Sequence, residues 1–199
     1  KFKNNETVKK NDDELLGLFK ESLLNKSDKK FIVLHMIGSH PAISDRVNNV
    51  YDEYIFTDEL SYYNKSVKYT DAFLKDINNE LVKTKKSFSM IYFSDHGLGI
   101  NNLMQLTHGG AYQDGYNVPL LIWQDNLKSK KQINAERSSI DFLHFFCEIL
   151  NIKTSNIQAD YTFISEDTSK EIKVINNYNQ IVKYKDLTSA PINTYLKRQ

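Results

Sequence analysis

Three short apolar runs, FIVLHMI at 31–37, SFSMIYFS at 87–94 and VPLLIW at 118–123, constrain this 199-residue chain more than any other feature. Each places apolar side chains on both faces of an extended backbone and is short for a helix, the pattern of a strand covered on both sides. Between the first two runs, Leu60, Tyr63, Val67, Thr70, Leu74, Ile77 and Leu81 recur at intervals of three and four, and the stretch ends in the Lys-rich TKK at 84–86. One long amphipathic helix is predicted there. A helix joining two buried strands is the crossover of a parallel pair, so 31–37 and 88–94 are expected to be parallel neighbours or near neighbours. Ahead of them, DDELLGLFKESLL at 12–24 aligns Leu15, Leu16, Phe19 and Leu23 behind an acidic first turn that suits the helix dipole. Behind them, SSIDFLHFFCEIL at 138–150 opens with Ser-x-x-Asp and spaces Ile140, Leu143, Cys147 and Leu150 helically. This is the element order of a doubly wound α/β layer, in which ligands gather beyond the carboxyl ends of parallel strands.

The 40% hydrophobic and 12% aromatic content is enough for one core, read here as a single domain over 1–199 with its centre at 12–150. The tail, 151–199, contains EIKVINNYNQIVKY at 171–184, two β-rich runs across an Asn-rich turn that predict a peripheral hairpin. Lys and Arg number 26 against 25 Asp and Glu, so the net charge of +1 gives no electrostatic case for a nucleic-acid partner. No apolar run approaches the roughly 18 to 20 residues that span a bilayer. The single cysteine, Cys147, lies in a helical apolar pattern and reads as a buried, inert thiol. The first residue is Lys1 rather than Met, the mark expected of a processed or truncated product.

Chemistry concentrates where the strands end. His40 follows the first run in HMIGSHP, and Asp95 and His96 follow the second in YFSDHG. A carboxylate oxygen and an imidazole nitrogen are two suitable ligands for one zinc ion, although two do not complete a site. His108, in LTHGG, is a third candidate and His40 a fourth. The plainer alternative for Asp-His-Gly alone is a loop carboxylate capping a helix beside a hydrogen-bonded histidine. Residues Tyr62, Tyr63, Tyr69, Tyr92 and Trp123 read as core or helix-face aromatics, and His144 as a structural helix residue.

HMIGSH at 35–40, YYNKSVKYTD at 62–71, YFSDHG at 92–97, LTHGG at 106–110 and VPLLIW at 118–123 stand in the order found in phosphoethanolamine transferases, and the chain resembles that family from about residue 12 to about 150. The resemblance implies an alkaline-phosphatase-like three-layer α/β/α sandwich of the sulfatase superfamily, here its carboxyl-terminal portion, with a peripheral hairpin. It implies a zinc-dependent periplasmic enzyme of the bacterial inner membrane that moves phosphoethanolamine from phosphatidylethanolamine to lipid A, a core sugar or another envelope acceptor. By position, Asp95 and His96 match the zinc-binding pair. His40 and His108 match histidines that contact the phosphoryl or head group and can hold a second zinc. His35 matches the first histidine of its motif and reads equally as a packed strand residue.

Departures from the family pattern also matter. Gly38-Ser39-His40 runs straight into Pro41 without the usual glycine, residues 44–62 carry no cysteine pair, and LGINNLMQL replaces an acidic loop after Asp95-His96-Gly97. The family's threonine nucleophile and an upstream acidic ligand have no counterpart, Thr7 reading as a loop residue, so both are expected before Lys1 and the fragment alone is expected to be inactive. Its expected partners are then the lipid donor and acceptor, the rest of its own catalytic domain and a membrane bundle. Other esters handled by the superfamily (sulfatase, phosphatase, phosphoglycerol transferase) and a noncatalytic envelope-binding domain are the alternatives. Three further expectations follow: an exposed sheet edge or apolar face where upstream strands are absent, open to dimerisation or aggregation; weak zinc binding; and His40 with His108 facing Asp95-His96 across one polar pocket.

Overall fold

A computed structural model describes residues 12–47, 59–100, 106–108, 111–155, 157, 161–168 and 170–189. Thr7 and the glycines after His108 lie outside these. The chain forms two compact units, one of Lys1–Met90 with Trp123–Asn126 and one of Ile91–Ile122 with Leu127–Gln199.

In the first unit, helix α1 (Asp13–Leu24) packs on the long helix α3 (Glu59–Lys83), and the short α2 (Ser44–Val47) packs on α3 as well. Phe19 of α1 is buried, and Lys20 reaches Glu80 of α3 at 3.5 Å. The buried stripe of α3 is rotated from the predicted one. Ser66, Thr70, Phe73, Leu74 and Ile77 are buried, whereas Leu60 and Val67 are exposed. Small polar residues occupy the covered face of the amino-terminal half because that face meets a hydrogen-bonded loop rather than a second apolar surface. Burial, and after it the Asp13 carboxylate, push the Tyr69 hydroxyl well above the usual tyrosine range. The helix stops at Lys83, after which Lys85 takes a left-handed conformation (φ 56°).

Residues 31–37 are extended but belong to no ladder among the described residues, so of the expected arrangements, parallel neighbours or near neighbours of 88–94, direct pairing is not formed. Covering on both sides is corrected. Ile32, Leu34 and Met36 are half-buried, while Phe31 (74% exposed), Val33 (72%), His35 and Ile37 look outward. The period-two alternation of a strand with one covered face is present, and the apolar residues of the other face are exposed. His35, on that outer face, is not a packed strand residue.

Strand β1 (Ser89–Phe93) pairs with β4 (Leu120–Gln124). The start of β1 lies beside the end of β4: the Asp125 amide donates to the Phe88 carbonyl at 3.4 Å and Gln124 Nε2 to Ser89 Oγ at 3.0 Å. The two strands therefore run in opposite directions.

In the second unit, β2 (Gly99–Ile100) and β3 (Leu106–Thr107) form a short antiparallel ladder. Ser138 caps a 3-10 turn over Ser139–Asp141, accepting from the Ile140 amide at 3.2 Å, and helix α4 (Phe142–Leu150) follows. The expected apolar stripe of this helix is corrected, since Ile140, Leu143 and Leu150 are exposed and Phe145 is fully buried. The helix is apolar nearly all round, so spacing alone offers two stripes, and the one carrying the large rings is buried. Phe142 stands 4.4 Å from Phe93 and Phe145 5.0 Å from Phe163, ring centre to ring centre. Arg137 ties this cluster down by donating to the carbonyls of Phe163 and Ser165 at 2.7 and 2.8 Å. His144 is structural here, its Nε2 3.7 Å from Glu148 Oε2, and Glu148 in turn accepts from the Phe163 amide at 2.7 Å. Cys147 is a free thiol, half-buried rather than buried. The predicted hairpin is present as β5 (Lys173–Ile175) and β6 (Ile181–Lys183). The backbone beyond it is not peripheral: the Gln113 amide donates to the Thr188 carbonyl at 2.9 Å and the Thr188 amide to the Ala111 carbonyl at 2.7 Å.

Candidate metal and phosphoryl site

Asp95, His96 and Gly97 leave β1 in a turn whose own hydrogen bonds set the donor atoms. The His96 amide donates to Asp95 Oδ1 at 3.0 Å, and Ser94 Oγ donates to the His96 carbonyl at 2.8 Å. His96 Nδ1 lies 3.0 Å from the Gly97 carbonyl oxygen. A carbonyl only accepts, so Nδ1 carries the hydrogen in that contact and Nε2 of the neutral ring keeps its lone pair, the tautomer a metal-binding imidazole needs. Nε2 is 3.9 Å from Asp95 Oδ1, and both side chains reach solvent, with Asp95 85% exposed. Oxygen and nitrogen donors thus stand side by side on one turn.

Gly97 is there for lack of a side chain. A Cβ on it would stand 2.3 Å from the Asp114 carbonyl oxygen and 2.8 Å from that of Asn117, while its amide donates to the Gly115 carbonyl at 2.9 Å. The turn is pressed against backbone 114–117, which fixes where Asp95 and His96 point.

His108, just after β3, brings its ring centre to 5.2 Å from that of His96, with 32° between the planes. Of the residues predicted for the site, Asp95, His96 and His108 are therefore brought together. Among the described residues no three His, Cys, Asp or Glu side chains converge closely enough to hold a metal. The donor chemistry suits zinc in kind, through Asp95 oxygen and His96 Nε2, with two ligands supplied.

His40 belongs to the first unit, where its loop is held at three points. Asp12, 4% exposed, accepts from the Ile37 and Gly38 amides at 2.8 and 3.0 Å, one on each carboxylate oxygen. Ser39 Oγ lies 2.7 Å from Ser66 Oγ, and the Arg46 guanidinium donates to the His40 carbonyl. Gly38 takes the left-handed conformation (φ 54°) that turns the chain, and the His40 ring is exposed with Nδ1 2.9 Å from the Pro41 carbonyl. Sequence reasoning missed Asp12 and Arg46. Asp12 reads as a first-turn helix acid, and nothing local marks its side chain as crossing to a loop 25 residues away.

The sulfatase family profile matches residues 1–152. The chain belongs to the sulfatase family. It is 35% identical over 181 residues to the phosphoethanolamine transferase OpgE of Escherichia coli K12, a match spanning 88% of this chain and 34% of that protein. It is 26% identical over 171 residues to the phosphoethanolamine transferase EptA of Helicobacter pylori, spanning 76% of this chain and 33% of that protein. The chain thus covers about a third of the length of these relatives. The crystal structure of the carboxyl-terminal periplasmic domain of EptC from Escherichia coli, a complex with zinc, superposes with a TM-score of 0.72 at 16% identity, over 93% of this chain and 60% of that one. The fold is accordingly the alkaline-phosphatase-like α/β fold of that domain. Among the described residues no helix is long and apolar enough to cross a membrane.

Proposed function

We propose that this sulfatase-family chain is the carboxyl-terminal portion of the catalytic domain of a zinc-dependent phosphoethanolamine transferase of the bacterial cell envelope. The observation that carries the reading is the turn holding Asp95 beside a His96 whose Nε2 is left free, with the His108 ring 5.2 Å from that of His96. Asp95 and His96 hold the zinc, and further ligands and the threonine nucleophile are assigned to none of the described residues. When bound, zinc lowers the pKa of a coordinated hydroxyl and offsets negative charge on phosphoryl oxygens.

The protein's own residues do the rest. His108 and His40 contact the phosphoryl or head group, and one of them serves as general acid to the departing oxygen. The donor is phosphatidylethanolamine, and the acceptor is lipid A, a core sugar or another envelope glycan or lipid. The domain acts in the periplasm from an inner-membrane protein, and these 199 residues alone do not turn over substrate. The remainder of the catalytic domain is the partner that covers the outer face of 31–37, where Phe31 and Val33 are exposed.

Titrating zinc into the chain tests the ligand assignment. The wild-type protein is expected to take up zinc weakly, and the Asp95→Ala, His96→Ala double variant at least about ten-fold more weakly. Equal uptake by the two proteins removes both residues from the site. In the full-length enzyme, His40→Ala is expected to slow transfer while zinc content stays unchanged, and transfer at the wild-type rate would exclude a substrate role for His40.

A further inference from the structure

The β5–β6 hairpin presents an outer face that an ordinary solvent-exposed hairpin has no reason to carry. The register opposes Lys173 to Lys183 and Ile175 to Ile181. All four side chains are exposed, whereas the alternate pair, Val174 and Val182, is half-buried. Ile175 is 54% and Ile181 64% exposed, and Tyr178 at the tip is 82% exposed. This display is rigid. Asn176 Oδ1 accepts from the Tyr178 amide at 2.9 Å and the Gln180 amide at 3.0 Å, Asn176 Nδ2 donates to Gln180 Oε1 at 3.2 Å, and Asn179 supplies the left-handed residue (φ 58°). The base is tied down as well, with Ser138 Oγ donating to the Lys173 carbonyl at 2.5 Å and the Tyr184 amide to the Ile172 carbonyl at 3.0 Å.

Two physical costs are built into that face. Water meets a cross-strand pair of isoleucines, and two lysines stand directly opposite each other, an arrangement that destabilises a ladder. Nearby charge relieves the second cost only in part. Glu171 binds Lys183 at 3.0 Å and Lys185 at 3.2 Å and Asp186 lies close by, leaving three lysines to two carboxylates. A surface that is apolar within and anionic at its boundary relieves both costs together, and a tyrosine at the tip suits the boundary region.

We propose that the outer face of the β5–β6 hairpin docks on an anionic phospholipid bilayer, with Ile175, Ile181 and Tyr178 entering the headgroup boundary and Lys173, Lys183 and Lys185 facing lipid phosphates. This goes beyond the transferase reading and needs neither zinc nor turnover, so failure of one leaves the other standing.

Co-sedimentation of the 199-residue chain with vesicles tests it. The chain is expected to bind vesicles of phosphatidylethanolamine with phosphatidylglycerol and to bind pure phosphatidylcholine vesicles much more weakly. Ile175→Ser with Ile181→Ser, and separately Lys173→Gln with Lys183→Gln, are each expected to weaken binding about ten-fold or more. Unchanged circular dichroism shows that the variants fold. If they do not, Tyr178→Trp supplies a second readout, its emission shifting to the blue on adding anionic vesicles, with the wild-type protein as the background for Trp123. Equal binding by wild type and variants, no blue shift, or self-association of the wild type that the serine variants abolish would each overturn the proposal.

Discussion

Replacing Asp12 with alanine is expected to lower the stability of the first unit by about 3 kcal/mol, because two partly buried amides, of Ile37 and Gly38, lose their acceptors at once. That corresponds to a fall of roughly 6–12 °C in the thermal midpoint for a chain of this size. Asp12→Asn keeps one carbonyl oxygen and turns the other acceptor into a donor facing a donor, so it is expected to recover only part of the loss. The loop that carries His40 is the element released, and amide hydrogen exchange at Ile37 and Gly38 reads it directly. A midpoint within about 2 °C of wild type would show that water replaces the carboxylate without loss.

Gly97→Ala is the second change with a large expected effect. The new methyl group meets the Asp114 carbonyl oxygen at 2.3 Å and the Asn117 carbonyl oxygen at 2.8 Å, and backbone atoms cannot swing aside as side chains do. Either the 114–117 turn or the Asp95-His96 turn must move, at a cost of about 3 kcal/mol. Zinc uptake is expected to drop as far as in the Asp95→Ala, His96→Ala variant although both donor side chains remain. Wild-type stability together with wild-type uptake would mean that the close packing of Gly97 has no bearing on the site.

Periodicity made the long helix α3, the strands β1 and β4 and the β5–β6 hairpin legible, because each signal is carried by neighbouring residues. It was less reliable about which side is covered. Val67 and Leu60 fit a helical stripe as well as Ser66 and Thr70 do, and only the loop at 38–39 decides that the serine faces inward, through the Ser39–Ser66 contact. For α4 the same ambiguity arose from excess, with apolar residues on every side. Asp95, His96 and His108 stood out as donor side chains in loops beyond apolar runs, and the structure places them near one another. The role of Asp12 was not legible, since it depends on a partner 25 residues away, and the placement of Gly97 depends on a turn that lies beyond β3 in the chain.

The bonds of the carboxyl-terminal tail have a mechanical consequence. Tyr184 Oη lies 2.7 Å from Asn117 Oδ1, Thr188 exchanges backbone bonds with Ala111 and Gln113, and the Gly115 carbonyl receives the Gly97 amide. Residues 184–188 are therefore bonded to the 111–117 segment, whose 114–117 backbone packs against Gly97 and so aims Asp95 and His96. A protease cut at 184–188, or a fusion that pulls this segment loose, would slacken the donor turn from behind without touching a single donor. Handling the tail as a dispensable extension would then yield a folded protein whose Asp95-His96 turn has lost its backing.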